Sequence, residues 1–216
     1  MAIHGPKREI VSLLSFIRTG ELGPLKLGMK MRQVSELLGP PDWWMDGHDA
    51  DISPVPLLWG YNRMLEVFFS YEAPHVVETI KLRQLPSLGQ RHLRVRWRLW
   101  IRADGIHDEM KISDFVRLPI WNECRRVTVG LSNRENIDIL TDAVELLFYM
   151  RNREEEELKE AQDDLETAAY VALRDRLSTG LHGIYSTARP KDNRYFQDDW
   201  RDFSVPDYLA LVDAGK

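Results

Sequence analysis

Leu27-Gly28-Met29-Lys30-Met31-Arg32-Gln33-Val34-Ser35-Glu36-Leu37-Leu38-Gly39-Pro40-Pro41-Asp42 is the stretch on which the fold reading turns. Met31, Val34, Leu37 and Leu38 recur at helical spacing, so 30–38 is predicted as a short helix. Gly39 provides a C-cap free of Cβ strain. Pro40 blocks continuation, because it has no N–H and its ring clashes with the preceding turn. After a polar loop at 46–56, the segments 57–61 and 64–70 read as a hairpin turning near Tyr61-Asn62-Arg63. A helix stopped this hard before a hairpin points to a compact α+β binding module and away from a catalytic fold.

Working outward, Ile10, Val11, Leu13, Leu14 and Ile17 form one helical stripe over 9–18, closed by Thr19-Gly20. Residues 76–82 read as a third strand. The segment 92–102 alternates cleanly, with Leu93, Val95, Trp97, Leu99 and Ile101 on one side, and it reads as a single half-buried strand. A short helix is predicted at 112–118, and strands at 127–131 and 137–140. The 144–150 segment fits a strand, and a helical reading of 144–151 stays open because Leu146, Leu147 and Met150 also fit that period. The longest helix is expected over 154–177, with irregular chain after Gly180. The expected architecture is α+β: two N-terminal helices, an antiparallel sheet, a long C-terminal helix and a tail. Residues 1–152 form the sheet domain, with 153–216 packed on it.

Composition narrows the function classes. The 216 residues are 44% hydrophobic and 29% charged, ordinary values for a folded chain with one generous core. No apolar run approaches the roughly 18 residues of a membrane span. The first nine residues lack a signal-peptide layout, and the single cysteine excludes an internal disulfide; the expected compartment is the cytoplasm. A net charge of -5 gives no global attraction to nucleic acid, so such binding would need a local basic face.

The Gly28-Met29 turn, Val34, Leu37, the Gly39-Pro40-Pro41-Asp42 stop, Trp59-Gly60-Tyr61 and the strand through Phe68 and Phe69 form a recurring layout. It resembles the helix–helix–meander unit of SmpA/OmlA-like domains and β-lactamase inhibitory proteins, and is similar to small bacterial immunity proteins. The resemblance covers residues 22–82. It implies a non-enzymatic scaffold for protein–protein recognition, with contact positions that vary with the partner. The export segment and lipid-acceptor cysteine of the lipoprotein members have no counterpart here, so the resemblance implies a cytoplasmic binder.

Two surfaces stand out as candidate contacts. The first is acidic: Glu155, Glu156 and Asp163 on the 154–166 helix face, with Asp198, Asp199, Trp200 and Tyr208 in the tail. Such a surface complements a toxin enzyme with a basic groove, and the aromatics are natural anchors. The competing reading is a solvated helix whose tail aromatics fold back onto the core. The second is the arginine row Arg94, Arg96 and Arg98 with Trp100, suited to phosphates and a stacked base. Against it stands a solvated sheet face, or an edge strand defended by charge.

Gly47-His48-Asp49-Ala50-Asp51 brings imidazole and carboxylates together, yet no second ligand cluster or metal-binding spacing accompanies it. Cys124 lies beside Glu123, Arg125 and Arg126, and without a nucleophile signature it reads as a structural thiol. No cofactor is expected. The leading expectation is an immunity- or antitoxin-type protein that occludes a toxin enzyme. The alternatives are nucleic-acid binding through the arginine row, a scaffold subunit without catalysis, and an enzyme whose site assembles only in three dimensions.

Overall fold

The computed structural model describes residues 8–45, 56–131, 136–150, 167–188 and 201–215. Among them the protein is mostly β. Twelve strands run in chain order: β1 Glu9–Ser12, β2 Trp43–Met45, β3 Leu58–Tyr61, β4 Leu65–Phe69, β5 Val77–Leu82, β6 His92–Arg94, β7 Leu99–Arg102, β8 Val127–Leu131, β9 Asn136–Thr141, β10 Glu145–Met150, β11 Ser178–Thr187 and β12 Arg201–Ser204. The helices are α1 Leu13–Thr19, α2 Met31–Leu38, α3 Ile112–Val116, α4 Ala168–Leu177 and α5 Val205–Ala214, with a 3-10 turn at Pro119–Glu123.

Nine strands form one antiparallel sheet in the order β12-β8-β9-β10-β11-β5-β4-β3-β2, and β1-β7-β6 form a second, smaller sheet. This overturns the α+β layout with its long C-terminal helix. Of that helix only α4 lies in the described residues; 151–166 lie outside them. The chain after Gly180 is not irregular either, because β11 sits between β10 and β5 in the large sheet. The sheet therefore crosses the expected boundary at 152.

Register explains why the large sheet coheres. Phe203, Val129, Ile139, Leu146, Ile184, Leu82, Leu65 and Tyr61 pair strand by strand in one continuous row. All but Phe203 are fully buried. Each fully buried aliphatic side chain contributes about 1.5–3 kcal/mol relative to exposure. The opposite face carries Leu140, Glu145, Tyr185, Lys81, Glu66, Gly60 and Trp43 in a matching row.

Two local expectations fail for identifiable reasons. Residues 9–12 form β1, parallel to β7, and the helix starts only at Leu13. Ser12 is its N-cap, with Oγ accepting from the Ser15 N–H. The 92–102 segment is a hairpin, β6 and β7 around a turn at residues 95–98, and not one strand. In that turn both Val95 and Arg96 N–H groups donate to Leu99 O. The 144–150 segment resolves as strand β10.

Candidate functional site

The site grows from the hard stop after α2. Gly39, Pro40 and Pro41 carry the chain to Asp42, which opens the edge strand β2. Trp43 pairs across strands with Gly60, and its indole occupies the space where a Cβ would be. Between β3 and β4 the chain reverses through Asn62 and Arg63, with φ of 48° and 54°, and Met64 N–H donates to Tyr61 O. Paired left-handed residues match the twist of a tight hairpin, and asparagine tolerates that region better than most residues.

Asn62 joins three segments. Its backbone N–H donates to Asp42 Oδ2 at 2.7 Å, and its side-chain Nδ2 donates to Arg94 O at 2.9 Å. The β6–β7 turn is tied down by Arg96, whose Nη1 donates to Asp42 Oδ1 at 2.7 Å and whose Nη2 donates to Pro40 O. The guanidinium also lies 5.4 Å from the centre of the Tyr61 ring. Burial pushes the Tyr61 hydroxyl well above its ordinary titration range; Arg96 opposes that and Asp42 adds to it.

These contacts enclose an open cleft of about 480 Å³ between the Asn62–Arg63 turn and the β6–β7 turn. Asp42, Trp43, Arg63, Arg94, Arg96 and Trp97 contribute to its walls. Trp97 is 47% exposed, with the Arg98 guanidinium 4.1 Å from its ring centre. The next residue of the edge strand, Trp44, is 60% exposed. Arg63 and Arg94 are exposed, and among the described residues neither guanidinium has an ion pair.

The arginine row is dispersed by this geometry. Arg96 is a latch onto Asp42 and Pro40. Arg98 reaches back to the C-terminal end of α2, donating to Glu36 O at 3.3 Å, a favourable place for a cation. Only Arg94 faces solvent. Trp100 is no stacking platform, since Arg8 sits 4.4 Å above its ring and His92 meets it edge-on. Sequence reasoning missed Arg63, Asn62, Asp42, Trp43 and the outward position of Trp97. The usable signal was Asn62-Arg63 at a hairpin turn.

Of the acidic surface, Glu155, Glu156, Asp163, Asp198, Asp199 and Trp200 lie outside the described residues, as do His48, Asp49 and Asp51. Tyr208 is corrected: it is fully buried, and its hydroxyl donates to Asp175 Oδ1 at 3.0 Å. Burial and the adjacent Asp175 carboxylate drive its titration far upward. Asp175 also accepts from the Ser113 N–H and Oγ, each at 2.7 Å, which binds α3, α4 and α5 together. Every member of that cluster is buried, so it is a structural joint.

On the sheet face that also carries Gly60 and Trp43, buried Glu66 accepts from Arg83 at 2.9 Å and Lys81 at 3.3 Å. Burial, then Lys81 and Arg83, lower the His182 titration. Burial, then Asp142 and Glu123, push the Cys124 thiol up, which fits a structural role. Among the described residues no three His, Cys, Asp or Glu side chains cluster as metal ligands, and no helix is long and apolar enough to cross a membrane. No protein family, curated protein or solved structure matches this chain.

Proposed function

We propose that this protein is a protein-binding module of the immunity or antitoxin type, acting in the cytoplasm by covering the working surface of a toxin enzyme. The observation that carries the reading is the cleft. It presents two tryptophans and two arginines that have no ion pair among the described residues, on a frame held by Asn62, Asp42 and Arg96. Tryptophan and arginine dominate binding hot spots, and a frame already locked loses less entropy on association. The order of two helices followed by antiparallel strands β2–β5 supports the same reading. The single cysteine suits a reducing compartment.

Affinity capture from the source cells tests it, with wild type and Trp97→Ala in parallel. A partner retained in 1:1 ratio by wild type and lost from the variant is expected. Capture of the same proteins by both would refute the placement of the contact.

A further inference from the structure

We infer that the cleft takes an extended acidic stretch of polypeptide. Carboxylates of that stretch pair with Arg63 and Arg94, and an apolar side chain lies between Trp43 and Trp97. This rests on the binding-module reading and names the chemistry of its partner.

Charge bookkeeping inside the cleft leads there. Of its four charged side chains, Asp42 and Arg96 cancel as a 2.7 Å ion pair. Among the described residues Arg63 and Arg94 are left over, an island of positive charge on a chain whose net charge is -5. Guanidinium forks match carboxylates in bidentate geometry better than an ammonium does.

Size and shape favour a peptide over a nucleic acid. A hollow of about 480 Å³ accepts a few side chains. Affinity for a polynucleotide grows with the number of phosphates neutralised, and two exposed arginines beside a carboxylate neutralise few. Among the described residues β2 is the terminal strand of the large sheet. An extended segment lying along it gains backbone hydrogen bonds while its alternate side chains reach the cleft. Trp44 and Met45, 60% and 54% exposed on that strand, supply apolar surface on either side of it.

The test is fluorescence anisotropy with three labelled probes: a peptide alternating Glu and Leu, a matched peptide alternating Lys and Leu, and a ten-residue oligothymidylate. The acidic peptide is expected to bind the full chain best and to weaken with added salt. Arg63→Glu combined with Arg94→Glu should reduce its affinity at least tenfold, and Trp97→Ala at least fivefold. All three positions are exposed, and unchanged thermal melts would show that the variants fold. Preference for the basic peptide or the oligothymidylate, no binding of the acidic peptide, or acidic binding that survives the double reversal would each overturn the inference. A toxin-like partner lost with Trp97→Ala would still leave the binding-module reading standing in those cases.

Discussion

The Trp43 indole rests on Gly60 of the neighbouring strand, where Cε2, Cζ2 and Nε1 fill the position of the missing Cβ. A tryptophan at a sheet edge would otherwise swing freely. Here the glycine gives it a seat, and the seat sets one wall of the cleft. Gly60→Ala therefore has to lift the ring. Overpacking of this kind costs about 1–3 kcal/mol, and the low end is expected because the edge strand can yield. Urea unfolding measures the loss. Acrylamide quenching of the tryptophan emission should rise as Trp43 leaves its seat.

Arg96 and Arg63 line the same cleft and should behave oppositely. Arg96→Ala removes charge-assisted bonds to Asp42 and to Pro40 O, and should lower stability by about 1–2 kcal/mol. Arg63→Ala removes an exposed side chain with no ion pair among the described residues, and should stay within about 0.5 kcal/mol. Denaturation midpoints of the two variants, measured side by side, separate the latch from the free cation.

Asp175 holds three donors from two other segments. Asp175→Ala should destabilise by at least about 3 kcal/mol, because buried donors left without an acceptor pay their full desolvation. Tyr208→Phe deletes one bond of the set and should lose about 1 kcal/mol. Equal losses in calorimetry would contradict a shared joint centred on the carboxylate.

His182 predicts the response to acid. Burial and the charges of Lys81 and Arg83 hold its imidazole below the ordinary 6.5. Below pH 6.5 the unfolded chain takes up a proton that the folded chain resists. The contribution is complete above that value and is lost as pH falls through the folded one. Asp104 acts only further down. Burial raises its carboxyl, but bonds from Ser12, Arg102 and the Leu14 N–H outweigh that and hold it below 3.8. Urea midpoints should fall as pH drops below 6.5, and His182→Gln should flatten that fall.

Local punctuation was legible from the chain; parity and long-range pairing were not. Gly39-Pro40-Pro41 ends α2 where backbone chemistry demands. The 92–102 segment misled because the turn at 95–98 contains four residues. Leu93, Val95, Leu99 and Ile101 therefore stay buried in step across both arms, and period two alone cannot reveal the reversal. Trp97 obeys the alternation in sequence yet points outward, since it sits at the tip of that turn. Residues 9–12 fit a helical stripe, but pairing with β7, distant in sequence, makes them a strand. The site was less legible still. Its frame joins Asp42, Asn62 and Arg96 across hydrogen bonds spanning 20 and 54 positions, which no local pattern encodes.

Hydrogen–deuterium exchange on the complex with the captured partner is the most direct check on whether this cleft is where recognition happens. Slowed exchange is predicted at residues 42–45, 61–64 and 94–98, with little change along β8 and β9. Protection confined to other segments, with those three exchanging as in the free protein, would contradict it.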